Sequence, residues 1–198
     1  MSFIGENQHK TILTYNDTNA STGSTTNSSS TMIRANDFYA ENITFQNTAG
    51  NIMKIAISKA RSILFFKRAE IKSLRNGYIT ASSTTESQKY GYVLIDSTLK
   101  KGTAAAQSVY LGRPWRPHSA VTFLYTKMDD HIKAEGWHNW DNRHNERTAR
   151  YKEFRSTGAG SDVANRVKWS SILTKNEASQ ITVQAVLGGA DGWNPEKR

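Results

Sequence analysis

Hydrophobic residues along this chain fall in short runs, not at helical spacing. Residues 11–15, 38–45, 63–66, 77–81, 91–95, 108–111 and 120–125 are each alternating or β-branched. Such stretches suit a pleated, half-buried surface, so each is expected to be a strand. Asn, Gly, Ser and Thr fill the gaps, and no amphipathic pattern of ten or more residues occurs before about residue 174. From Phe38 through Phe123 the runs recur every 13 to 25 residues or so. That rhythm predicts stacked coils, each delivering short strands to parallel sheets, hence an all-β, parallel β-helix solenoid. Asn42-Ile43-Thr44-Phe45, Ala69-Glu70-Ile71-Lys72 and Asp96-Ser97-Thr98-Leu99 read as ends of successive coils, alike in rhythm but not in letters.

Other segments depart from the rhythm. Residues 21–31 are low in complexity and rich in Ser, Thr, Gly and Asn, which fits a flexible linker or an ordered polar turn against a neighbouring coil. Residues 136–160, rich in Trp, Asn, Arg and Glu, read as a long irregular excursion. Glu177 to Gln180 begins a short helical turn, and residues 188–195 read as a loop. No composition shift marks a domain boundary, so residues 1–198 are expected to form one domain.

Composition narrows the function classes. With 37% hydrophobic residues, no apolar run approaches the roughly 18 residues of a membrane helix; the longest, 52–66, is broken by Lys54, Lys59 and Arg61. The first residues carry no basic-then-apolar export pattern, which suggests a cytoplasmic protein or one whose export signal is not in this chain. With no cysteine, disulfides, thiolate metal sites and cysteine nucleophiles are excluded. The histidines at 9, 118, 131, 138 and 144 form no pair with metal-ligand spacing, so they are expected on the surface and no metal is expected. A net charge of +9 favours a polyanionic partner. The basic residues are spread out, without zinc-finger or basic-zipper spacing; charge alone does not choose between nucleic acid and an acidic polysaccharide.

Candidate chemistry centres on Tyr110-Leu111-Gly112-Arg113-Pro114-Trp115-Arg116-Pro117. The prolines fix their own φ and push Arg113 and Arg116 toward extended backbone. Arg113 and Trp115, two residues apart, would share one face of a strand. A fixed guanidinium beside an indole suits a carboxylate on an apolar-faced ring, such as an acidic sugar polymer. A buried arginine satisfied by backbone carbonyls, with Trp115 as ordinary packing, is the other reading of the same residues.

A colinear series of motifs resembles the pectin methylesterase (pectinesterase) family. It comprises Phe3-Ile4-Gly5-Glu6-Asn7 with Lys10-Thr11-Ile12, the stretch 37–50 (Asp-Phe-Tyr-Ala-Glu-Asn-Ile-Thr-Phe-Gln-Asn-Thr-Ala-Gly), and Ser73 through Ala81. Leu111 through Trp115, Glu135-Gly136-Trp137, Ser156 through Gly160 and Arg166-Val167-Lys168-Trp169 complete it. The resemblance covers nearly the whole chain except 51 to about 58. It implies a right-handed parallel β-helix that hydrolyses the methyl esters of homogalacturonan, releasing methanol and free galacturonate, with no metal or cofactor. It also implies a secreted or periplasmic protein whose partner is pectin, with no nucleic acid or membrane involved. Family members use one aspartate as nucleophile and another as general acid and base, with glutamine side chains at the oxyanion.

The resemblance carries over to Arg113, which matches the arginine supporting the nucleophile, and to Trp115, which matches a sugar-stacking tryptophan. Thr25 resembles a substrate-contacting threonine, although its surroundings also suit a plain turn. Elsewhere the chain departs from the pattern. After Gly50 the family's Gln-Ala-Val-Ala-Leu and Gln-Asp-Thr-Leu motifs are missing, and Lys54 stands where the nucleophilic aspartate belongs. Coils that precede Phe3 in the family are missing too. The expectation is a shortened β-helix lacking both catalytic aspartates and the oxyanion glutamines, with esterase activity weak or absent. A non-catalytic binder of polygalacturonate is the alternative. Asp96, Asp129, Asp130, Glu135 and Asp141 are expected to be solvated partners of Lys or Arg, not substitutes for the catalytic pair.

Overall fold

A computed structural model describes residues 1–15, 31–33, 37–47, 55–57, 63–189 and 192–197. Its strands are short and parallel, and they wind a β-solenoid of about four turns. A seven-stranded sheet runs the length of the solenoid: β1 (Ser2–Ile4), β4 (Asp37–Glu41), β7 (Ile63–Lys67), β10 (Tyr92–Ile95), β13 (Ala120–Leu124), β15 (Arg150–Phe154) and β16 (Ser171–Ile172). A second, five-stranded sheet joins β2 (Ile12–Tyr15), β5 (Thr44–Asn47), β8 (Glu70–Ser73), β11 (Thr98–Lys101) and β14 (Lys127–Met128). The third face holds two pairs, β3 (Thr31–Ile33) with β6 (Ile55–Ile57), and β9 (Gly77–Ser82) with β12 (Val109–Pro114).

One conformational device repeats in five successive coils. Asn42, Arg68, Asp96, Tyr125 and Arg155 all have positive φ, between 45° and 55°, and each directly follows a strand of the seven-stranded sheet. A single left-handed residue there turns the chain sharply onto the next sheet, which splits the run 38–45 into two strands. Such a conformation disfavours a non-glycine residue, least so Asn and Asp. Arg68 uses the corner to form an ion pair with Glu41 of the neighbouring coil, and Tyr39 donates its hydroxyl to the same carboxylate at 2.9 Å.

Register explains why the strands are apolar on both faces. Ala40 pairs with Phe66, Phe66 with Leu94 and Leu94 with Phe123, and these point into the solenoid, where Phe38, Phe45 and Trp137 join them. Tyr39, Phe65, Val93 and Leu124 point outward and are also buried. Their cover comes from α2 (Lys175–Ser179) and α3 (Val183–Leu187), with Leu173, Ile181 and Val186 packed against the sheet. A sheet enclosed on both faces needs continuous hydrophobic strands such as Leu64-Phe65-Phe66. Each fully buried side chain of this kind contributes on the order of 1.5–3 kcal/mol.

The structure corrects two expectations. Residues 136–160 are not wholly irregular: a short helix, α1 (Arg143–Thr148), is capped by Asn142, and β15 follows it as a full member of the large sheet. Arg150-Tyr151-Lys152-Glu153-Phe154 carries three charges, two of them adjacent, which break the alternation and hid the strand. The histidines are not all at the surface either, because His131 is fully buried. Of residues 51–58, where the resemblance lapses, the structure places only the backbone of Ile55–Ile57, as β6.

Candidate carbohydrate site

Strand β12 positions the candidate residues. Its partner β9 pairs Tyr110 with Tyr78, Gly112 with Thr80 and Arg113 with Ala81. Gly112 is required by this stacking: a Cβ there would lie 2.1 Å from Thr80 Oγ1 and 3.2 Å from the Trp137 ring. The strand continues through Pro114, beyond the expected end at Leu111, and Trp115 follows it with its N–H donated to Ser82 O at 2.9 Å. Beneath that corner Ser119 Oγ donates to Ser82 O at 3.0 Å and meets the Tyr151 hydroxyl at 2.9 Å. Burial pushes the Tyr151 phenol far up, so it stays neutral within this hydroxyl network.

Arg113 is buried, with a relative exposure of 7%, yet no backbone carbonyl among the described residues accepts from it. Its Nε is buried without a hydrogen-bond partner. The guanidinium carbon lies 3.6 Å from the ring centre of Trp140, 5.1 Å from Trp115 and 5.4 Å from Tyr78. Burial pulls Arg113 below the ordinary guanidinium range, with Tyr78 and Tyr151 opposing, but a guanidinium remains charged in any protein setting. Such stacking contributes about 0.5–2 kcal/mol, depending on exposure. Among the described residues no carboxylate forms an ion pair with Arg113.

The aromatic group is wider than the motif. Tyr78 stacks on Tyr110 with ring centres 5.4 Å apart, and the Tyr78 hydroxyl lies 3.2 Å from His138 Nδ1. Lys133 sits 4.8 Å from the centre of the Tyr110 ring. Trp115 and Trp140 are about half exposed, at 52% and 50%. Trp140 and Asp141 have φ of 60° and 56°, a left-handed pair that is an outlier for an indole. Strain of this kind persists where the surroundings enforce it, and it gathers at functional sites. The turn lays Trp140 flat on the guanidinium.

A buried frame anchors the loop that carries His138 and Trp140. Trp137 Nε1 donates to Glu153 Oε1 at 3.0 Å, and Arg166 pairs with the same carboxylate through Nε at 3.0 Å. Arg166 also donates to the carbonyls of Lys133, Ala134 and Gly160 at 3.2, 3.0 and 2.8 Å. Gly136, at φ +69°, leaves room for this side chain, since a Cβ would lie 2.4 Å from Arg166 Cδ. Trp137 and Arg166, both within family-like motifs, are therefore structural.

Arg113 and Trp115 are thus brought together, whereas Thr25 and Lys54 lie outside the described residues. Tyr78, His138 and Trp140 join the site without having been given a role from sequence, and Tyr110 was named only as the start of the motif; Tyr78 and Tyr110 pair in register on neighbouring strands, a signal visible only once the register is known. Of the candidate carboxylates, Asp141 borders the group beside His138, whereas Asp129 and Asp130 lie elsewhere. Asp129 accepts from the Lys101 backbone and faces Lys100, Asp130 pairs with Lys101, and Asp141 is almost wholly exposed, 3.9 Å from His138 Nε2. No group of three or more His, Asp or Glu among the described residues could hold a metal, and no helix is long and apolar enough to cross a membrane.

Comparison with known proteins places this geometry in a lineage. Residues 62–190 match the family model described as Pectinesterase. Pectinesterase 31 of Arabidopsis thaliana is 31% identical over 236 residues, covering 91% of this chain and 74% of the relative. Pectinesterase/pectinesterase inhibitor 3 of the same plant is 28% identical, covering 96% of this chain but only 42% of its own length. Among solved structures, pectin methylesterase from carrot superposes with a TM-score of 0.70 at 23% identity, covering 96% of this chain and 77% of that one. The deglycosylated pectin methylesterase from Aspergillus niger gives 0.67 at 25% identity, covering 82% and 52%. A parallel solenoid with left-handed corners in five successive coils, a Gly112-Arg113 strand fitted against Thr80, and this match over most of its length together identify the chain as a member of the pectinesterase family.

Proposed function

We propose that this protein engages homogalacturonan, the pectin backbone, through Arg113, Trp115 and Trp140, and that its capacity to hydrolyse the methyl esters is weak or absent. The observation that carries the reading is the Arg113 guanidinium, buried among three aromatic rings with Nε unpartnered and no carboxylate of the described chain paired to it. An acidic sugar can supply the missing acceptor through its carboxylate, while its ring faces rest on the exposed indoles.

Weak turnover follows from chemistry. Ester hydrolysis by this family's route needs a carboxylate nucleophile and a second carboxylate to move protons. Lysine at position 54 cannot serve as that nucleophile, and the family's glutamine-bearing segments are not in the sequence. The match to pectinesterase 31 is longer than this whole 198-residue chain, so part of it runs opposite gaps here; that supports a shortened solenoid in one domain. Whole coils can be lost from a solenoid because each contacts only its neighbours. Thr25 is retained in the proposal as a substrate contact, and export to a pectin-containing compartment accompanies it.

Two measurements test this. Methanol release from highly esterified pectin is expected at or near background across pH 4–9, while retention on immobilised polygalacturonate survives moderate salt. Trp115→Ala and Trp140→Ala are each expected to weaken retention several-fold. Equal competition by DNA would sink the sugar-specific reading, and robust methanol release abolished by Arg113→Ala would restore the enzyme reading.

A further inference from the structure

A cavity of about 270 Å3 opens between the outer face of the seven-stranded sheet and α2. The turn 115–119 separates it in the chain from Trp115, and no residue of the aromatic platform lines it. Its volume is below the roughly 300–1,000 Å3 typical of drug-sized ligands, so it suits a single sugar-sized ring and not an oligomer.

Its walls divide by chemistry. Tyr90, Leu173 and Ile181 present apolar surface, and Lys89, Arg150 and Lys152 present positive charge. Arg150 is fixed: it donates to the carbonyls of Gln88, Thr85 and His118 at 2.6, 2.9 and 2.7 Å. Its Nε remains buried without a partner. Lys89 Nζ lies 5.0 Å from the centre of the Tyr90 ring and Lys152 favours the charged form of Glu177, but neither lysine forms an ion pair with a carboxylate among the described residues. Glu177 is the acidic residue of the lining, and its Oε2 is occupied by the N–H and hydroxyl of Thr174, both at 2.8 Å. The cavity therefore carries three cations against one committed carboxylate, over an apolar floor.

We propose that this cavity is a second site, for one anionic sugar unit: its carboxylate sits between Lys89 and Lys152, near Arg150, and its apolar ring face lies on Tyr90 and Leu173. Charge pairing selects the carboxylate, and the apolar floor selects a ring over a small inorganic anion. The site stands on its own geometry, whereas naming the sugar as galacturonate rests on the pectin reading above. A second contact on the same polymer would raise retention by tethering, provided both sites can be spanned at once.

The test is a backbone-amide NMR titration of the full chain with galacturonic acid, with galactose and sodium acetate as comparators at matched ionic strength. Saturable shifts are expected at Gly91, Thr122 and Gln180. They should weaken at least 10-fold in Lys89→Glu/Lys152→Glu and persist in Trp115→Ala. If the double charge reversal unfolds the chain, Lys89→Met/Lys152→Met keeps the side-chain stems and removes only charge. No saturable shift at these amides, shifts unchanged in the charge variants, or equal shifts from acetate or galactose would each overturn the proposal. Loss of polygalacturonate retention in Trp115→Ala with these shifts intact supports both sites; retention unaffected by Trp115→Ala removes the platform reading and leaves this one standing.

Discussion

Replacing Arg166 by methionine removes the charge that answers Glu153, and the structure sets the size of the effect. Glu153 is 1% exposed, and the Arg166 side chain is 4% exposed. Without Arg166, the carboxylate keeps Trp137 Nε1 as its remaining hydrogen-bond donor, and three backbone carbonyls lose a partner. Breaking one side of a buried ion pair costs about 3–5 kcal/mol, because the surviving charge is stranded away from water. At about 2–4 °C per kcal/mol for a chain of this size, the melting temperature should fall by roughly 6–20 °C. Urea denaturation monitored by tryptophan fluorescence reads the free energy directly. The double variant Glu153→Leu/Arg166→Met should recover part of the loss, since no charge is left buried, but not all of it, because the Ala134 and Gly160 carbonyls lose their donor. A single-variant loss under about 1 kcal/mol, or a double variant no more stable than the single, would refute the reasoning.

Other expectations follow from the same geometry. Trp140→Ala should leave folding intact yet weaken polygalacturonate retention about 2- to 5-fold, in line with roughly 0.5–1 kcal/mol for an exposed cation–π contact; unchanged retention would remove Trp140 from the site. Gly112→Ala should destabilise by about 1–3 kcal/mol through overpacking against Thr80, read as a drop in melting temperature; a neutral outcome would show that the coils can separate there. His131, buried with both ring nitrogens unpartnered, has its pKa lowered, chiefly by burial, with Asp129 and Asp130 opposing. The unfolded chain therefore takes up the proton first: His131 costs nothing above the unfolded value of about 6.5, and stability falls as pH drops below it, until the folded histidine also titrates. Melting temperatures between pH 7.5 and 5 should decline less in His131→Leu than in the parent, and parallel curves would reject this account.

Much of the fold was legible because a solenoid is written locally. Each coil must offer its own short apolar strand, so Ile63-Leu64-Phe65-Phe66 and Ala120-Val121-Thr122-Phe123-Leu124 stand out without any knowledge of their neighbours. β15 was missed for a related reason: Arg150 and Lys152 occupy the outer face beside the cavity, and Glu153, though inside, is answered by Arg166 and Trp137. Burial of a charge through a partner 13 residues away leaves no trace in a hydropathy pattern. His131 was misplaced likewise, since its burial follows from the packing of successive coils.

The sequence by itself determined the lineage, the strand rhythm and the positive charge. It brought Arg113 and Trp115 to notice but left their role open, because an arginine held by carbonyls and one held among aromatic rings look the same in letters. Tertiary structure decided that. Parallel stacking sets Tyr78 over Tyr110, and the strained Trp140–Asp141 turn folds an indole from the next coil onto the guanidinium. The same stacking, with the C-terminal helices laid on the outer sheet, gathers Lys89, Arg150 and Lys152 around one cavity. Neither grouping is contiguous in the chain; both exist because coils some 30 residues apart lie about 4.8 Å from one another across a parallel sheet.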